Sequence, residues 1–372
     1  MRRSRRVTAV ACAAAVFAAS TAAAQQNSRA VFLSQVDSLA RDALKTLGAS
    51  SVSVAVAQGS DAIVARAYGV ADRENKIPAD ANTVYEIGSL TKQFTAAAIM
   101  RLEAAGKLGV DDDISRYVPG FPLQGHRVSI RNLLNHTSGI HNYTAKPGWR
   151  AHWKEDLSPD SIIGFVARDT FDFAPGTAQR YSNTGYVLLG MIIERASGRS
   201  YAEYLESEFF KPLGLSRTHY CTQHSADPGI AKGYSDKNGA LVPAEYLSMT
   251  HPFAAGAICS TPRDIAKWEV AFHQGGVLSP SAYKRMTAAT TLGSGRIVNY
   301  GFGLSLITLD VEKLGSFRTI GHNGGINGFL SEQIYVPSDS LAVVVLTNSD
   351  VKPPDGLAVD IVTAALKWRH KQ

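Results

Sequence analysis

Residues 84–102 read VYEIGSLTKQFTAAAIMRL. The first four residues look extended, Gly88 reverses the chain, and the alanine-rich remainder has apolar residues at helical spacing. Ser89 therefore falls in the first turn of a predicted helix, where Lys92, three residues on, shares its face. A base that takes the serine proton makes the serine a nucleophile, provided that burial or another cation lowers the pKa of the lysine. The helix N-terminus also directs backbone N–H groups at developing negative charge.

The Ser-x-x-Lys spacing occurs at two other places, so the tetrapeptide alone is a weak signal. Ser281 follows Pro280 and is predicted to cap a surface helix. The lysine that follows Ser349 runs straight into two prolines, which do not suit the start of a helix. Because only Ser89 has the strand–turn–helix setting, it is the predicted nucleophile.

Two further segments contain polar residues that could complete a catalytic site with Ser89 and Lys92. Residues 174–194 read APGTAQRYSNTGYVLLGMIIE and residues 321–329 read GHNGGINGF. In the order Ser-x-x-Lys, Tyr-Ser-Asn, His-x-Gly, the chain resembles the class C β-lactamase and penicillin-binding protein group of serine hydrolases. LLNHTSGI at 133–140 and AGAICSTPRDIAKW at 255–268 look like further signatures of that group. The resemblance covers nearly all of the chain after its N-terminal segment.

The resemblance implies roles for two residues of the second segment. Tyr181 would be a general base or acid that works with Lys92, since a nearby ammonium favours an ionised phenol. Asn183 would contact Lys92 or the amide of the substrate. The residues alone also allow a packed Tyr181 ring whose hydroxyl caps the following helix, and Asn183 as an N-cap of that helix.

The third segment has His-x-Gly where much of the group has Lys-Thr-Gly. The resemblance implies that His322 contacts the acidic end of the substrate or shapes the pocket, and that Gly324 and Gly325 allow close approach of the substrate backbone. The N–H groups of Gly325 and Ser89 are the candidate oxyanion hole. Because a histidine is largely neutral at pH 7, we expect weaker or pH-dependent recognition of a free carboxylate. A glycine-rich hairpin with an incidental histidine is the alternative.

Strand patterns lie near both ends of the chain and helical patterns lie between them. The predicted fold is therefore α/β (α+β), with an antiparallel sheet flanked by helices and a helical lobe, like that of β-lactamases and transpeptidases. We expect one catalytic domain at residues 25–372. Its sheet lobe would come from 25–85 and 290–372, and its helical lobe from about 86–289. The site would lie in the cleft between them.

The N-terminus has the composition of a signal peptide. Four arginines precede an alanine-rich apolar run that ends in small residues, which predicts cleavage after residue 24 and a periplasmic or secreted protein. A retained anchor helix is the alternative, but the run is short and only mildly hydrophobic, so no stable membrane insertion is expected after cleavage. Without residues 1–24 the basic total falls from 38 to 34 against 32 acidic residues, a net charge of +2. No basic cluster with interleaved aromatics remains, so no nucleic-acid partner is predicted.

Two cysteines follow the leader, Cys221 and Cys259. In an exported protein they are a candidate disulfide, and two separate buried thiols are the alternative. Cys221 is flanked by histidines at metal-ligand spacing, but no matching second pair exists, so no metal site is predicted. No cofactor is predicted either.

The function predicted from the resemblance is an exported serine hydrolase that forms an acyl-enzyme on Ser89, of the β-lactamase or D-alanyl-D-alanine peptidase type. A carboxylesterase that uses the same site is one alternative. A penicillin-binding or scaffolding protein that does not turn over is another. The predicted partner is a small molecule or a peptidoglycan-type peptide or ester. There is no Gly-x-Ser-x-Gly, so the nucleophile elbow of the α/β-hydrolases is not indicated.

Overall fold

The computed structural model describes residues 26–59, 61–221 and 229–370, and of residues 61–63 it describes the backbone only. The signal peptide predicted for residues 1–24 lies outside the described residues. Within those three ranges, no helix has both the length and the apolar character needed to cross a bilayer.

The strands are β1 Ser51–Gln58, β2 Asp61–Asp72, β3 Ile77–Pro78, β4 Tyr85–Glu86, β5 His219–Tyr220, β6 Tyr234–Lys237, β7 Ala240–Pro243, β8 Ile258–Ser260, β9 Thr290–Thr291, β10 Ile297–Val298, β11 Ser305–Val311, β12 Gly315–Ile326, β13 Phe329–Val336 and β14 Leu341–Thr347. The helices are α1 at residues 26–46, α2 Thr91–Ala104, α3 Ile130–Leu134, α4 Pro159–Gly164, α5 Asn183–Ser197, α6 Tyr201–Leu205, α7 Phe253–Gly256, α8 Pro262–His273, α9 Pro280–Met286 and α10 Asp355–Arg369.

The main sheet has seven antiparallel strands in the order β11-β12-β13-β14-β1-β2-β3. It joins the two ends of the chain where β1 pairs with β14, in a register that places Val52 opposite Thr347. The fold class predicted from the strand patterns at the two ends is confirmed. The lobe boundaries near residues 85 and 290 remain a prediction.

The central strands are buried on both faces because helices cover both sides of the sheet. Successive side chains of a strand point to opposite faces. Val54 of β1 packs with Phe32 of α1 and Ile361 of α10, whereas Ala55 belongs to the second core, together with Ile265 of α8. The sheet is therefore the middle layer of a helix–sheet–helix sandwich.

The helical lobe is built around α2. Residues 91–100 of this helix are all buried, because its many alanines let α5, α7 and α9 approach closely. Phe94 packs on Trp268 of α8, with ring centroids 4.1 Å apart. The segment before the helix forms β4, which pairs with β8 in a separate three-stranded sheet. The N-terminus of α2 is thus held between the helical lobe and the sheet layer.

Candidate active site

Ser89 lies in a 3-10 turn, Gly88–Leu90, that leads directly into α2. Gly88 has a φ of +52°, and a Cβ atom on it would lie 2.9 Å from the backbone nitrogen of Gly325. Only glycine fits this position without strain, because the conformation and the contact both exclude a side chain. The turn therefore brings the end of β12 against the nucleophile.

The three groups predicted for proton transfer meet at the Ser89 hydroxyl. The Tyr181 hydroxyl donates to Ser89 Oγ at 2.8 Å, and Lys92 Nζ lies 3.0 Å from the same oxygen. Ser89 and Tyr181 are 92 residues apart in the chain. The fold brings them together because Tyr181 immediately precedes α5, which packs against α2.

The amine of Lys92 has two further partners, the side-chain oxygen Oδ1 of Asn183 at 2.9 Å and the carbonyl oxygen of Ala255 at 2.7 Å. Both oxygens accept hydrogen bonds, so each requires one N–H of the amine. Burial lowers the pKa of Lys92 well below its ordinary value, which favours the neutral amine. A neutral amine has two N–H groups and one lone pair. In the neutral form both N–H groups are used by these acceptors, so the lone pair would face the Ser89 hydroxyl, to which an ammonium would instead donate.

Tyr181 is the exposed member of the site, with 38% of its surface accessible to solvent. Burial of its hydroxyl end raises its pKa, and the hydrogen bond with Ser89 offsets the increase only in part. Lys92 Nζ lies 4.8 Å from the centre of the Tyr181 ring. Burial also favours loss of the charge on Lys92, so an ammonium beside this phenol is disfavoured in the resting site, and the joint role of the two residues in proton transfer stays a prediction.

His322 is buried and forms part of a hydrogen-bonded chain. Its Nδ1 bonds the carbonyl oxygen of Asn323, and its Nε2 lies 2.9 Å from the Tyr300 hydroxyl. Nε2 of His136 lies 3.2 Å from that hydroxyl, and Nδ1 of His136 accepts from the backbone N–H of Ser182 at 3.2 Å. Since a carbonyl only accepts and an N–H only donates, two neutral histidines satisfy every bond, in the direction His136 to Tyr300 to His322 to Asn323.

Burial determines the charge of His322. Burial lowers the pKa of His322 to about 4, and the pKa of His136 falls well below its ordinary value for the same reason. His322 is therefore neutral at pH 7, with both ring nitrogens bonded inside the protein. The expectation that it meets the acidic end of a substrate does not fit this placement. Its ring lies beside that of Tyr181, with centroids 6.1 Å apart.

A cavity of about 230 Å³ opens beside the nucleophile. Ser89, Asn183 and Gly325 line it, together with an apolar and aromatic wall that includes Trp149 and Ile326. Gly324 has a different place, since a Cβ atom on it would lie 2.2 Å from the carbonyl oxygen of Ile87. Gly324 thus permits close packing of β12 on the nucleophile turn, while Gly325 borders the cavity.

The beta-lactamase family model matches residues 36–366. The chain belongs to the beta-lactamase family. This confirms the resemblance that the Ser-x-x-Lys, Tyr-Ser-Asn and His-x-Gly segments indicated.

Relatives of the chain include binding proteins and enzymes. Penicillin-binding protein 4* of Bacillus subtilis is 31% identical over 80% of this chain and 68% of its own length. The octameric penicillin-binding protein homologue of Pyrococcus abyssi superposes with a TM-score of 0.79 at 29% identity, covering 90% of this chain and 77% of that one. The D-amino acid amidase of Ochrobactrum anthropi SV3 superposes with a TM-score of 0.78 at 28% sequence identity, and the match covers 91% of this chain and 99% of the amidase. The chain spans between 62% and 68% of the length of three curated relatives. The family match and the similarity to the amidase identify the chain as a serine hydrolase.

The disulfide is present in the structure, and the alternative of two separate thiols is not. Cys221 and Cys259 are bonded, with sulfur atoms 1.99 Å apart and a separation of 38 positions in the chain. Cys259 lies opposite Glu86 in the pairing of β8 with β4, three residues before Ser89. In the part of the chain that the structure describes, no group of three or more His, Cys, Asp or Glu side chains could hold a metal ion.

The other two Ser-x-x-Lys matches lie in different settings. Ser281 is exposed in the first turn of α9, and the N-cap of that helix is Ser279, so the predicted cap was wrong by two residues. Ser349 is buried, while Lys352 donates to the backbone oxygen of Thr46.

Several residues of the site have no role in the sequence-based prediction. His136, Tyr300 and the carbonyl group of Ala255 belong to it by their contacts. His136 and Ala255 lie in segments that the sequence marks as family signatures, which was the available signal. The sequence contains no signal of a functional role for Trp149 or Tyr300, because an isolated aromatic residue indicates only a packed core.

Proposed function

We propose that the protein hydrolyses amides or esters through an acyl-enzyme on Ser89. The observation that carries this proposal is the geometry of the Lys92 amine. Two of its sides are occupied by obligate acceptors, and the third faces the Ser89 hydroxyl.

In the acylation step, Ser89 gives its proton to the lone pair of Lys92, and Oγ attacks the substrate carbonyl carbon. The carbonyl oxygen becomes an oxyanion, for which the N–H groups of Ser89 and Gly325 are the proposed donors. Lys92 is then an ammonium, and its charge favours release of the Tyr181 proton. That proton passes to the leaving nitrogen or oxygen as its bond to carbon breaks, and Lys92 returns a proton to Tyr181. In deacylation, water attacks the acyl carbon and gives a proton to the same pair, which returns a proton to Ser89 Oγ as the bond between Oγ and the acyl carbon breaks.

The neutral state of His322 bears on the bond that is cleaved. A substrate carboxylate would find no cationic side chain at this position, in contrast to a lysine. This supports amides and esters without a free carboxylate over D-alanyl-D-alanine peptides and β-lactams. The amidase relative supports amide hydrolysis. A carboxylesterase is the second candidate, because the neutral site accepts esters equally well.

The experiment offers the purified protein a short-chain ester, an uncharged short-chain amide, a chromogenic β-lactam and a D-Ala-D-Ala peptide in parallel, and follows each by intact mass. We expect product release from the ester or amide with no lasting adduct. A long-lived adduct would instead support the binding-protein alternative. Ser89→Ala should abolish turnover, and Ser281→Ala is the matched control. Loss of activity in the control with the fold intact would contradict the assignment of the nucleophile.

We also propose that the protein is exported and cleaved after residue 24. The basic and alanine-rich leader supports this, and so does the disulfide, since disulfides persist in oxidising compartments. N-terminal sequencing of the protein from a periplasmic or culture fraction should begin at Gln25. An intact N-terminus in the cytoplasmic fraction alone would contradict export.

A further inference from the structure

The Ser89 hydroxyl lies between the Tyr181 hydroxyl and a cavity, and the difference between these surroundings indicates where the leaving group and the acyl group of a substrate would lie. A proton donor must reach the leaving atom directly, so the leaving group lies on the side of Tyr181, whose ring is 38% exposed. The cavity is lined by Ser89, Asn183 and Gly325, and Tyr181 is not among its lining residues. The acyl half of the substrate therefore enters the cavity. This step rests on the proposed function.

None of the described residues that line this cavity has a formal charge. Its polar groups are hydroxyls, amides and backbone atoms, and its wall is formed by Tyr143, Trp149, Leu247, Pro252 and Ile326. An ionised acyl group would lose its hydration there and gain no partner of opposite charge, which is costly. The volume also limits the acyl group. A dry cavity of about 150 Å³ holds benzene, so about 230 Å³ suits one aromatic ring and a short linker.

The aromatic wall is fixed by hydrogen bonds behind it. Trp149 Nε1 donates to Nδ1 of His251 at 2.9 Å, and Nε2 of His251 bonds the carbonyl oxygen of Glu155 at 2.8 Å. The Tyr143 hydroxyl donates to the backbone oxygen of His251 at 2.7 Å. The Tyr143 and Trp149 rings meet edge to face, with centroids 5.3 Å apart. Both aromatic side chains thus donate a hydrogen bond to His251, and these bonds restrict the movement of the wall that a larger acyl group would require.

We propose that the cavity selects uncharged acyl groups with one aromatic ring or a branched apolar chain. Trp149 sets the upper size limit as a specificity-determining residue, and His251 acts as a positioning residue for Trp149. Neither residue takes part in proton transfer.

The charge selectivity is tested on wild-type protein with p-nitrophenyl esters, which share one leaving group. We expect kcat/KM for the phenylacetate to exceed that for the 4-carboxyphenylacetate by about 10-fold or more, since even one extra methylene in a hydrophobic pocket changes kcat/KM by about 10–200-fold and an unpaired carboxylate is more costly to bury. Equal values would overturn the proposal. The p-nitrophenyl acetate, which places little in the cavity, tests the proposed function separately. Failure of Ser89 to be acetylated would contradict that function, whatever the selectivity.

The size limit is tested with variants and the 2-naphthylacetate ester. Trp149→Ala should raise the naphthyl to phenyl ratio of kcat/KM by about 10-fold. Trp368→Ala, which removes a half-buried tryptophan from α10, is the matched control and should keep the wild-type ratio. His251→Leu should also raise the ratio, whereas His251→Asn, which keeps an acceptor for Trp149, should restore it. An unchanged ratio in both Trp149→Ala and His251→Leu would overturn the proposal, and the wild-type comparison remains decisive if a variant fails to fold.

Discussion

The amine of Lys92 donates a hydrogen bond to the carbonyl oxygen of Ala255, 2.7 Å away and 163 residues along the chain. A carbonyl oxygen cannot give a proton, so this contact uses one N–H of the amine in every protonation state. Ala255 lies in α7, which packs against both α2 and α5. The base of the site is therefore oriented by a backbone group of a third helix, and Ser89 meets the side of the amine that remains.

The first prediction concerns the pH dependence of Ser89 acylation. Because burial lowers the pKa of Lys92 well below its ordinary value, we expect the amine to lose its proton below the alkaline range and to gain little from a further increase in pH. Stopped-flow acylation by a p-nitrophenyl ester should therefore be flat between pH 7 and pH 10. Ser89→Ala supplies the correction for spontaneous hydrolysis. An ordinary lysine would instead give a rate that rises about tenfold per pH unit in this range, and such a rise would contradict the neutral amine.

The second prediction concerns His322. Its pKa of about 4 keeps the ring neutral from pH 5 to pH 8. The ratio of kcat/KM for a carboxylate-bearing ester and its neutral counterpart should then stay constant over this interval. The sequence suggested the opposite, that carboxylate substrates lose affinity as the histidine loses its proton. The measurement is the pH profile of the two esters, and a ratio that changes around pH 6.5 would restore the earlier hypothesis.

The sequence predicts those parts of the site that a few neighbouring residues determine, because such residues form a recognisable local pattern. The strand, turn and helix around Ser89 have such a signal in Gly88 and the alanine-rich run, and the structure follows it closely. The turn at Asn238-Gly239 is another case, since both residues have positive φ and connect β6 to β7 as a hairpin. These features depend on a few neighbouring residues.

The rest depends on tertiary contacts that a single sequence does not contain. The bond to Ala255 uses a backbone oxygen that any residue would supply, so its side chain gives no hint. The chain from His136 through Tyr300 to His322 joins three segments that only the fold brings together. The direction of the pKa shifts of Lys92 and His322 follows from burial, which residue type alone does not reveal.

The third prediction is the contribution of the disulfide. Cys221 and Cys259 close a loop of 38 residues, which in the chain-entropy model stabilises the fold by about 4 kcal/mol. The double variant Cys221→Ser, Cys259→Ser should lose about this amount in urea unfolding. Wild-type protein unfolded under reducing conditions is the comparison, and it should match the variant. A loss below about 1 kcal/mol would show that the bond adds little to the contacts around it.

The fourth prediction follows from a buried carboxyl group between α8 and β13. Glu269 is fully buried, and Nε2 of Gln333 donates to its Oε2 at 2.6 Å. His273 Nε2 lies 3.2 Å from the same oxygen. Burial raises the pKa of Glu269 to about 8 and lowers that of His273 to about 3, and both directions favour the neutral forms over an ion pair.

The sign of the effect follows from proton binding. The model value for Glu269 is 4.5, so between about pH 4.5 and pH 8 the folded protein holds a proton that the unfolded chain has lost. The contribution of Glu269 to the free energy of unfolding therefore falls as pH rises through this interval, by an amount on the order of a few kcal/mol. Buried His273, whose pKa is lowered, contributes with the opposite sign below its ordinary pKa. Glu86 and Glu332, whose pKa values burial also raises to about 8, add to the same slope.

The change Glu269→Gln should remove its share of this slope, because an amide has no proton to lose. In urea unfolding at pH 5.5 and pH 8.0, the variant should gain stability relative to wild type as pH rises. Part of the slope should remain, through Glu86 and Glu332. Glu312→Gln, on an exposed side chain, is the matched control and should keep the wild-type slope. Parallel curves for wild type and Glu269→Gln would mean that Glu269 ionises in the folded protein as readily as in the unfolded chain.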